Sequence, residues 1–192
     1  YKKSIKTEAS TNLVLFVDEN FNINSLKKHI SIEEFSYMKD LLKNNDLKKN
    51  LLFFEVNSKK TIFLVSVKKN LQSSDIEALG AEFHSHINYD KKSAYVVNSD
   101  SINNKFENFL GYFLHGLKLK SYEFNIYKSK KDSKVIPINI TGNKNKITTQ
   151  NTIRFKAIEE GTFFARDLVS EPPNVLNPKE YVNRLLKLRK LG

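Results

Sequence analysis

The chain has 192 residues, of which 40% are hydrophobic and 11% aromatic, which is enough to bury the core of one ordinary domain. The absence of cysteine excludes disulfides, thiolate nucleophiles and cysteine-based zinc sites. Residues 1–10 are polar and no apolar run is long enough to cross a bilayer, so we expect a cytoplasmic location and no membrane partner. The net charge of +11 leaves an anionic partner open, although nearly all of the basic residues are lysine.

The first third of the chain predicts a strand, a helix and a hairpin. Residues 12–17 form a short apolar run with β-branched and aromatic residues, which predicts a strand. Ser31 and Glu34 have the spacing of a capping box, and the apolar residues that follow recur at helical intervals. Residues 51–56 and 61–67 predict two strands, because the connection between them is short enough for a hairpin.

The middle of the chain alternates between helix and strand. Ser74 and Glu77 form a second capping box, which predicts the start of a helix. Residues 93–97 and 134–140 predict two strands, and Pro137 indicates an edge position for the second, since proline cannot donate to a neighbouring strand. Between them lies a third predicted helix, whose broad apolar face consists of Phe106, Phe109, Leu110, Phe113, Leu114 and Leu117.

Two helical segments follow the last predicted strand. A long helical pattern starts near Thr149 and ends before Pro172 and Pro173, because proline cannot continue a helix. Asn177 and Pro178 have the residue types of an N-cap and a first helical position, which predicts another helix.

This order of elements predicts the fold class. Strands that alternate with helices favour a three-layer α/β/α arrangement, in which a mixed sheet is covered on both faces. We therefore expect an α/β domain over residues 1–148. The two final helices lie outside the alternation, so residues 149–192 are interpreted as a helical connector.

Two segments resemble the leucyl, or cytosol, aminopeptidase family. In residues 116–131 a Gly-Leu pair precedes Tyr122, Phe124 and the pair Tyr127-Lys128 at the family's spacing. Residues 160–178 include the run Ala-Arg-Asp-Leu-Val-Ser-Glu-Pro-Pro-Asn-Val-Leu-Asn-Pro, which is similar to the family's signature at the junction of its two domains. The second match is long, contiguous and chemically varied, so chance is a poor explanation for it.

The resemblance implies a two-domain enzyme that assembles as a hexamer. Its amino-terminal domain is a three-layer, macro-domain-like sandwich, and its catalytic domain holds two divalent metal ions, Mn or Zn, that activate a water against the first peptide bond. The ligand-bearing motifs of the family lie beyond Gly192. We therefore expect a non-catalytic amino-terminal domain without its catalytic domain, and we assign no catalytic, metal-binding or substrate-binding residue to this chain.

Histidine and carboxylate pairs are candidate sites, and their patterns favour structural roles. His84 and His86 lie two positions apart, so on the predicted helix they face different directions and are a poor metal pair. The isolated His29 and His115 are expected to be polar tips on a surface or half-buried face. The acidic pairs are expected to cap helices or to line solvated helix faces; they are Glu33 with Glu34, Glu159 with Glu160, and Asp167 with Glu171.

Two binding functions remain as alternatives. The glycines are never clustered, which gives little support to a phosphate-binding loop or to ADP-ribose binding. Residues 118–131 interleave lysines with Tyr122, Phe124 and Tyr127, and residues 128–134 form a short basic loop. This pattern keeps a DNA-binding module open, because stacking groups beside positive charge are typical of nucleic-acid surfaces.

Overall fold

The architecture is one mixed sheet covered by helices, and the structure, a computed structural model, describes residues 2–3, 12–87, 94–103, 106–129 and 136–189. The strands are β1 (Lys2–Lys3), β2 (Asn12–Asp18), β3 (Leu51–Asn57), β4 (Lys60–Val67), β5 (Tyr95–Asn98) and β6 (Ile138–Thr141). The helices are α1 (Ile32–Leu42), α2 (Ser73–Ser85), α3 (Phe109–Lys120), α4 (Thr149–Ser170) and α5 (Pro178–Leu188). The predicted alternation and the mixed α/β class are confirmed. None of the described helices is both long and apolar enough to cross a bilayer.

The sheet has the order β1-β6-β5-β2-β4-β3. Among the described strands, neighbours run parallel except in the β3–β4 hairpin. After β2 the chain forms the β3–β4 hairpin, and β4 pairs with one edge of β2. The chain then crosses the sheet to β5, which pairs with the other edge of β2, so the direction in which strands are added reverses at β2. The carboxyl ends of β2, β4, β5 and β6 therefore meet along one edge, which is where open α/β sheets usually bind ligands.

The central strand β2 supplies both hydrophobic cores. Val14 and Phe16 are buried in a core shared with α2 and α3, and Leu13 and Leu15 are buried in a second core shared with α1. Alternate residues of a strand point to opposite faces, so one strand that is apolar throughout can fill two layers. The predicted three-layer arrangement is confirmed by these two cores.

Helices α2 and α3 approach each other through glycine. A Cβ atom placed on Gly80 would lie 1.9 Å from the carbonyl oxygen of Phe113, and one placed on Gly116 would lie 1.9 Å from the carbonyl oxygen of Glu77. Only hydrogen at these positions allows such close backbone contact. The glycines that the sequence spreads apart are thus brought together where the two helices cross.

The starts of two helices differ from the prediction. Helix α2 begins at Ser73, and the N–H of Gln72 donates to the carboxylate of Asp75 at 2.8 Å, so the capping contacts lie two positions before the predicted Ser74 box. Both positions offer a polar residue followed by an acid three residues later, so spacing cannot separate them. Helix α3 begins at Phe109, because Asn108 adopts a left-handed conformation with φ of 59°; Phe106 packs against the core from outside the helix.

The predicted edge position of the last strand is wrong. The short strand β1 lies outside β6, with Lys2 paired to Asn139. Pro137 immediately precedes β6, where its missing N–H removes no bond from the ladder. Residues 93 and 134–135 of the predicted strands, and residues 130–134 of the basic loop, lie outside the described residues.

Helix α4 packs on the outside of α3, with one buried aromatic ring at the contact. Of the residues of α4, all of which the structure describes, Phe155 alone is buried. Its ring lies 5.1 Å from the rings of both Tyr112 and His115. A Cβ atom on Gly111 would lie 2.5 Å from the Phe155 ring, so this glycine leaves the notch that the ring fills.

Candidate functional site

The second family-like segment, residues 160–178, includes a tight bend between α4 and α5. Helix α4 ends before Glu171, and the carbonyl of Pro172 accepts two backbone N–H groups within the turn. Asn177 caps α5 by accepting the N–H of Glu180 at 3.0 Å, and Pro178 occupies the first helical position. Proline, turn bonds and cap together fix the angle at which the chain enters α5.

Tyr122 ties the segment after α3 to helix α4. Its hydroxyl donates to Asp167 at 2.7 Å, and its ring lies 5.2 Å from that of Phe163. The guanidinium of Arg166 lies 5.4 Å from the Tyr122 ring and donates to the carbonyl of Leu119 at 2.6 Å. Burial raises the pKa of Tyr122, and its hydrogen bond to the Asp167 carboxylate raises it further, so the phenol stays a donor. Arg166 and Asp167 thus both contact Tyr122, one over its ring and the other at its hydroxyl, while the hydrogen bond of Arg166 goes to the Leu119 carbonyl.

Glu171 is the centre of a charged network at the bend. Tyr127 donates a short hydrogen bond to one of its oxygens, and Arg184 donates to the other at 2.9 Å. Arg184 also donates to Glu180 at 3.2 Å. The Glu171 side chain is only 3% exposed, so its charge depends on these partners.

The network fixes the protonation of its members. The hydrogen bond from Tyr127, and then the bond and charge of Arg184, lower the pKa of Glu171. The same bond to Glu171 raises the pKa of Tyr127. The two carboxylates raise the pKa of Arg184. Near neutral pH the site is therefore an anion held between a neutral phenol and a guanidinium, which suits rigid positioning and not proton exchange.

Arg184 was not singled out from the sequence. The sequence feature that could have identified Arg184 is its position four residues after Glu180, a favourable spacing for an ion pair on one helix face. The bond to Glu171 spans 13 residues and crosses the bend, so no local spacing indicated it.

Glu34 caps a helix as expected, whereas Asp167 and Glu171 depart from the expectation of caps or solvated faces, because both bind tyrosine hydroxyls and the Glu171 side chain is nearly buried. Glu34 accepts the N–H of Ser31 at 3.0 Å and pairs with Lys60 at 2.6 Å. Asp167 and Glu171 accept from two different tyrosines, so they do not form an acid–base pair. Glu159 differs from the prediction of a solvated face, because it is half-buried and this burial raises its pKa.

The four histidines are spread over different parts of the fold. His84 lies near the end of α2, where burial and the nearby Lys120 lower its pKa, while the ring of His86 packs 5.3 Å from that of Phe53. His29 accepts the Asn98 amide at 3.1 Å, with its other ring nitrogen buried. Within the described ranges, no three His, Asp or Glu side chains form a group that could hold a metal.

His115 is buried, which corrects the expectation of a surface or half-buried polar tip. Its side chain is 4% exposed and its Nδ1–H donates to Glu77 at 2.8 Å. The ring of Phe155 covers it from helix α4. The sequence around His115 did not reveal this burial, because the covering residue Phe155 comes 40 residues later and belongs to the predicted connector.

At the carboxyl edge of the sheet, the carboxylate of Asp100 binds the loop that follows β6. One oxygen of Asp100 accepts the N–H groups of Asn143 at 2.8 Å and Lys144 at 2.7 Å. These bonds lower the pKa of Asp100. Gly142, with φ of 106°, brings the loop close enough for this contact. Consecutive N–H groups of this kind often bind phosphate, and here they are occupied by the protein's own anion. This arrangement disfavours the ADP-ribose alternative.

The aromatic residues of the predicted nucleic-acid stripe make internal contacts. Tyr122 and Tyr127 bond to acidic side chains of α4 and its end, and the ring of Phe124 lies 5.8 Å from that of Tyr127. Tyr122 and Phe124 are thus packed within the protein, whereas Tyr127 remains 54% exposed although its hydroxyl is bonded. Nucleic-acid binding stays a prediction that depends on net charge.

Curated proteins similar in sequence are cytosol aminopeptidases. A probable cytosol aminopeptidase of Agrobacterium fabrum (strain C58 / ATCC 33970) is 40% identical over 86 residues, which is 42% of this chain and 17% of that protein. One of Dinoroseobacter shibae (strain DSM 16493 / NCIMB 14021 / DFL 12) is 38% identical over 77 residues, or 40% of this chain and 16% of that protein. The match therefore spans only about a sixth of these relatives. No protein-family profile matches the chain.

Solved structures resemble the chain over nearly its whole length. A tomato leucine aminopeptidase mutant has a TM-score of 0.75 at 17% identity, covering 100% of this chain and 41% of that one. The cytosol aminopeptidase from Coxiella burnetii has a TM-score of 0.65 at 12% identity, covering 96% and 36%. The bottromycin maturation enzyme BotP has a TM-score of 0.64 at 12% identity, covering 95% and 38%. At such identities the likeness establishes the fold. Partial sequence match and shared fold together relate this chain to the amino-terminal domain of the leucyl, or cytosol, aminopeptidases.

Proposed function

We propose that this chain is the non-catalytic amino-terminal domain of a cytosol aminopeptidase. The complete enzyme would remove unblocked amino-terminal residues from peptides, leucine by preference, during peptide turnover in the cytoplasm. Residues 1–148 would be the domain, macro-like in its layering, and residues 149–192 the helical connector to the catalytic domain.

The observation that carries the proposal is the network at the bend between α4 and α5. The acidic and aromatic residues of the family-like segments contact one another there, with Tyr122 bound to Asp167 and Glu171 bound to Tyr127 and Arg184. Such contacts hold two helices at a fixed angle. This supports a positioning role for residues that a sequence motif alone could suggest were catalytic.

The metal chemistry would reside in the catalytic domain. One structural neighbour, BotP, has been solved in complex with Mn. Two Mn or Zn ions there would activate the attacking water and hold the substrate. Hexamer formation is likewise proposed for the complete enzyme, with this domain bracing the assembly. We assign no metal ligand to the residues of this chain.

Activity assays on two proteins test the proposal. The complete enzyme and this chain alone are each incubated with leucine-p-nitroanilide and Mn²⁺ or Zn²⁺. We expect turnover by the complete enzyme and none by the chain. Sustained turnover by the chain, absent from a mock preparation, would overturn the non-catalytic role, and an inactive but folded complete enzyme would overturn the aminopeptidase assignment.

A further inference from the structure

Three residues meet at the carboxyl end of β5 and are joined by hydrogen bonds of fixed direction. The backbone N–H of Asp100 donates to Oδ1 of Asn98 at 3.0 Å, and a backbone N–H can only donate. The amide nitrogen of Asn98 therefore faces the other way, where it lies 3.1 Å from Nδ1 of His29. Nδ1 accepts this bond only when it carries no proton, so His29 is neutral and its proton is on Nε2.

The surroundings of His29 favour this neutral form. Nε2 is shielded from solvent and has no hydrogen-bond partner within the described part of the chain. Burial and the positive charge of Lys28, in the helical turn just before it, lower the pKa of His29, while the negative charge of Asp100 raises it. The ring therefore takes up a proton only below its ordinary pKa of 6.5, in mild acid.

A proton on Nδ1 of His29 would break this chain of bonds at Asn98. The ring and the Asn98 amide would then face each other as two donors. Turning the amide oxygen to the ring relieves the conflict, but it presents the amide N–H groups to the N–H of Asp100. The short helical turn Ser99–Ser101 then loses its side-chain cap. Protonation of His29 is thus transmitted to the backbone that carries the Asp100 carboxylate.

The carboxylate of Asp100 has two cationic or donor groups to choose between in mild acid. It accepts the N–H groups of Asn143 and Lys144 at 2.8 and 2.7 Å, and it also interacts with the charge of His29. The two N–H groups hold the pKa of Asp100 below its ordinary value of 3.8, so it is still an anion when His29 is protonated. The imidazolium therefore competes with the loop for the same carboxylate.

The loop after β6 has supports besides Asp100. The side-chain amide of Asn145 donates to the carbonyl oxygens of Ser99 and Ile102 at 3.2 and 3.3 Å. Gly142, with φ of 106°, supplies the turn that points the next two N–H groups at one oxygen. These features hold the N–H groups side by side independently of the carboxylate, and adjacent N–H groups of this kind bind anions.

We propose that protonation of His29 turns the Asp100 carboxylate away from the loop and opens the N–H groups of Asn143 and Lys144 to an external oxyanion. The ligand is a tetrahedral oxyanion, either free, like sulfate or phosphate, or at the end of a phosphate ester. The positive charge of Lys144 lies beside the site and favours such a ligand. At neutral pH the internal carboxylate keeps the site occupied. This role is separate from the proposed function and does not depend on a catalytic domain.

Sulfate titrations of this chain, followed by NMR, test the proposal, because sulfate keeps the same charge from mild acid to weak base. At about pH 8 we expect the amide signals of Asn143 and Lys144 to be unaffected by sulfate. At about pH 5.5 we expect saturable shifts of both signals, with an affinity at least about tenfold higher than at pH 8. The amide signals of β2 should not move at either pH, which shows that the sheet stays folded.

Three variants assign the effect to the named residues. His29→Asn places a neutral acceptor near the position of Nδ1 and cannot take up a proton, so it should remove the acid-induced binding. His84→Asn is the matched control, because His84 is another half-buried histidine whose pKa is lowered by burial, and it should bind sulfate like the unaltered chain. Asp100→Ala removes the internal anion and should bind sulfate at both pH values.

Three outcomes would overturn the proposal. The first is a protonated His29, seen in its ring signals, without sulfate-dependent shifts at Asn143 and Lys144. The second is acid-induced binding that persists in His29→Asn, which would assign it to the general positive charge of the chain. The third is a His29 that stays neutral until the chain unfolds in acid. A parallel titration with AMP distinguishes the two sources of the oxyanion, since tighter binding than sulfate at the same two amides assigns the site to phosphate esters and weaker binding assigns it to the free anion.

Discussion

Gly80 of α2 lies against the backbone of Phe113 of α3 so closely that a methyl group would approach the Phe113 carbonyl oxygen to 1.9 Å. In the reciprocal contact, a methyl group on Gly116 would lie 1.9 Å from the carbonyl oxygen of Glu77. These two contacts set the distance between the helices that cover one face of the sheet. The obstructing atoms belong to backbone, so neither side can give way without shifting a helix.

Gly80→Ala or Gly116→Ala should therefore destabilise the fold by about 1–3 kcal/mol or more, as overpacking does. Urea unfolding measures the free energy of unfolding directly. Gly161→Ala is the control, because a methyl group on this helical glycine would meet no atom within 4 Å. It should increase stability by about 0.5–1 kcal/mol, as alanine usually does in a helix. Equal effects at all three positions would contradict the close crossing of α2 and α3.

Phe155→Ala should release helix α4 from α3. The ring is 7% exposed and fills the notch at Gly111, so its loss should cost about 3–5 kcal/mol in the contact between α4 and the sandwich. Hydrogen exchange should accelerate in α4 far more than in β2 or β4. Ile153→Ala, at a position that is 65% exposed on the same helix, should have little effect. Uniform acceleration throughout the chain would argue against independent docking of α4.

In acid, the free energy of unfolding should depend less on pH in the Asp100→Asn variant than in the unaltered chain. Hydrogen bonds from Lys144 and Asn143 lower the folded-state pKa of Asp100 below the ordinary value of 3.8. A lowered folded pKa adds stability that is present above the ordinary pKa and is lost as the pH falls through the lowered one. The free energy of unfolding, measured from neutral pH down to strong acid, should therefore fall less steeply in the Asp100→Asn variant. Asp100→Ala, which also loses the acceptor, should cost about 1 kcal/mol more than Asp100→Asn at neutral pH.

Arg184→Ala should loosen α5 while leaving the sandwich intact. The substitution removes the guanidinium that binds Glu171 and Glu180, so the nearly buried Glu171 keeps only Tyr127 of these partners. Amide exchange in residues 178–188 should accelerate by about tenfold, the scale of one charge-assisted hydrogen bond. Lys179→Ala removes a positive charge from the same helix without touching Glu171, and it should leave exchange unchanged. Equal acceleration in both variants would point to net charge as the cause.

The layered fold could be predicted because its signals are local. The apolar run of β2, the Ser31–Glu34 capping box and the short β3–β4 connection each depend on residues close together in the chain. The pairing of Lys2 with Asn139 was missed, since nothing within a two-residue strand indicates a partner so far away. Long-range pairing is decided by tertiary contacts, which override local pattern.

The residues of the bend were predicted by resemblance, and their roles were not. Both tyrosines and both acids were named from the family-like segments, but the Tyr122–Asp167 bond spans 45 positions and the Tyr127–Glu171 bond spans 44. Burial of His115 depends on the docking of α4 and could not be inferred from the sequence around it. Side-chain partners across such separations are fixed only once the helices have packed.

The internal bond between Asp100 and the loop after β6 also limits how this fold can change. An incoming anion would have to displace a carboxylate that is already tethered in place, and it would face that negative charge while doing so. The N–H groups of Asn143 and Lys144 would become available to an external anion only if the Asp100 carboxylate were removed or turned away from them.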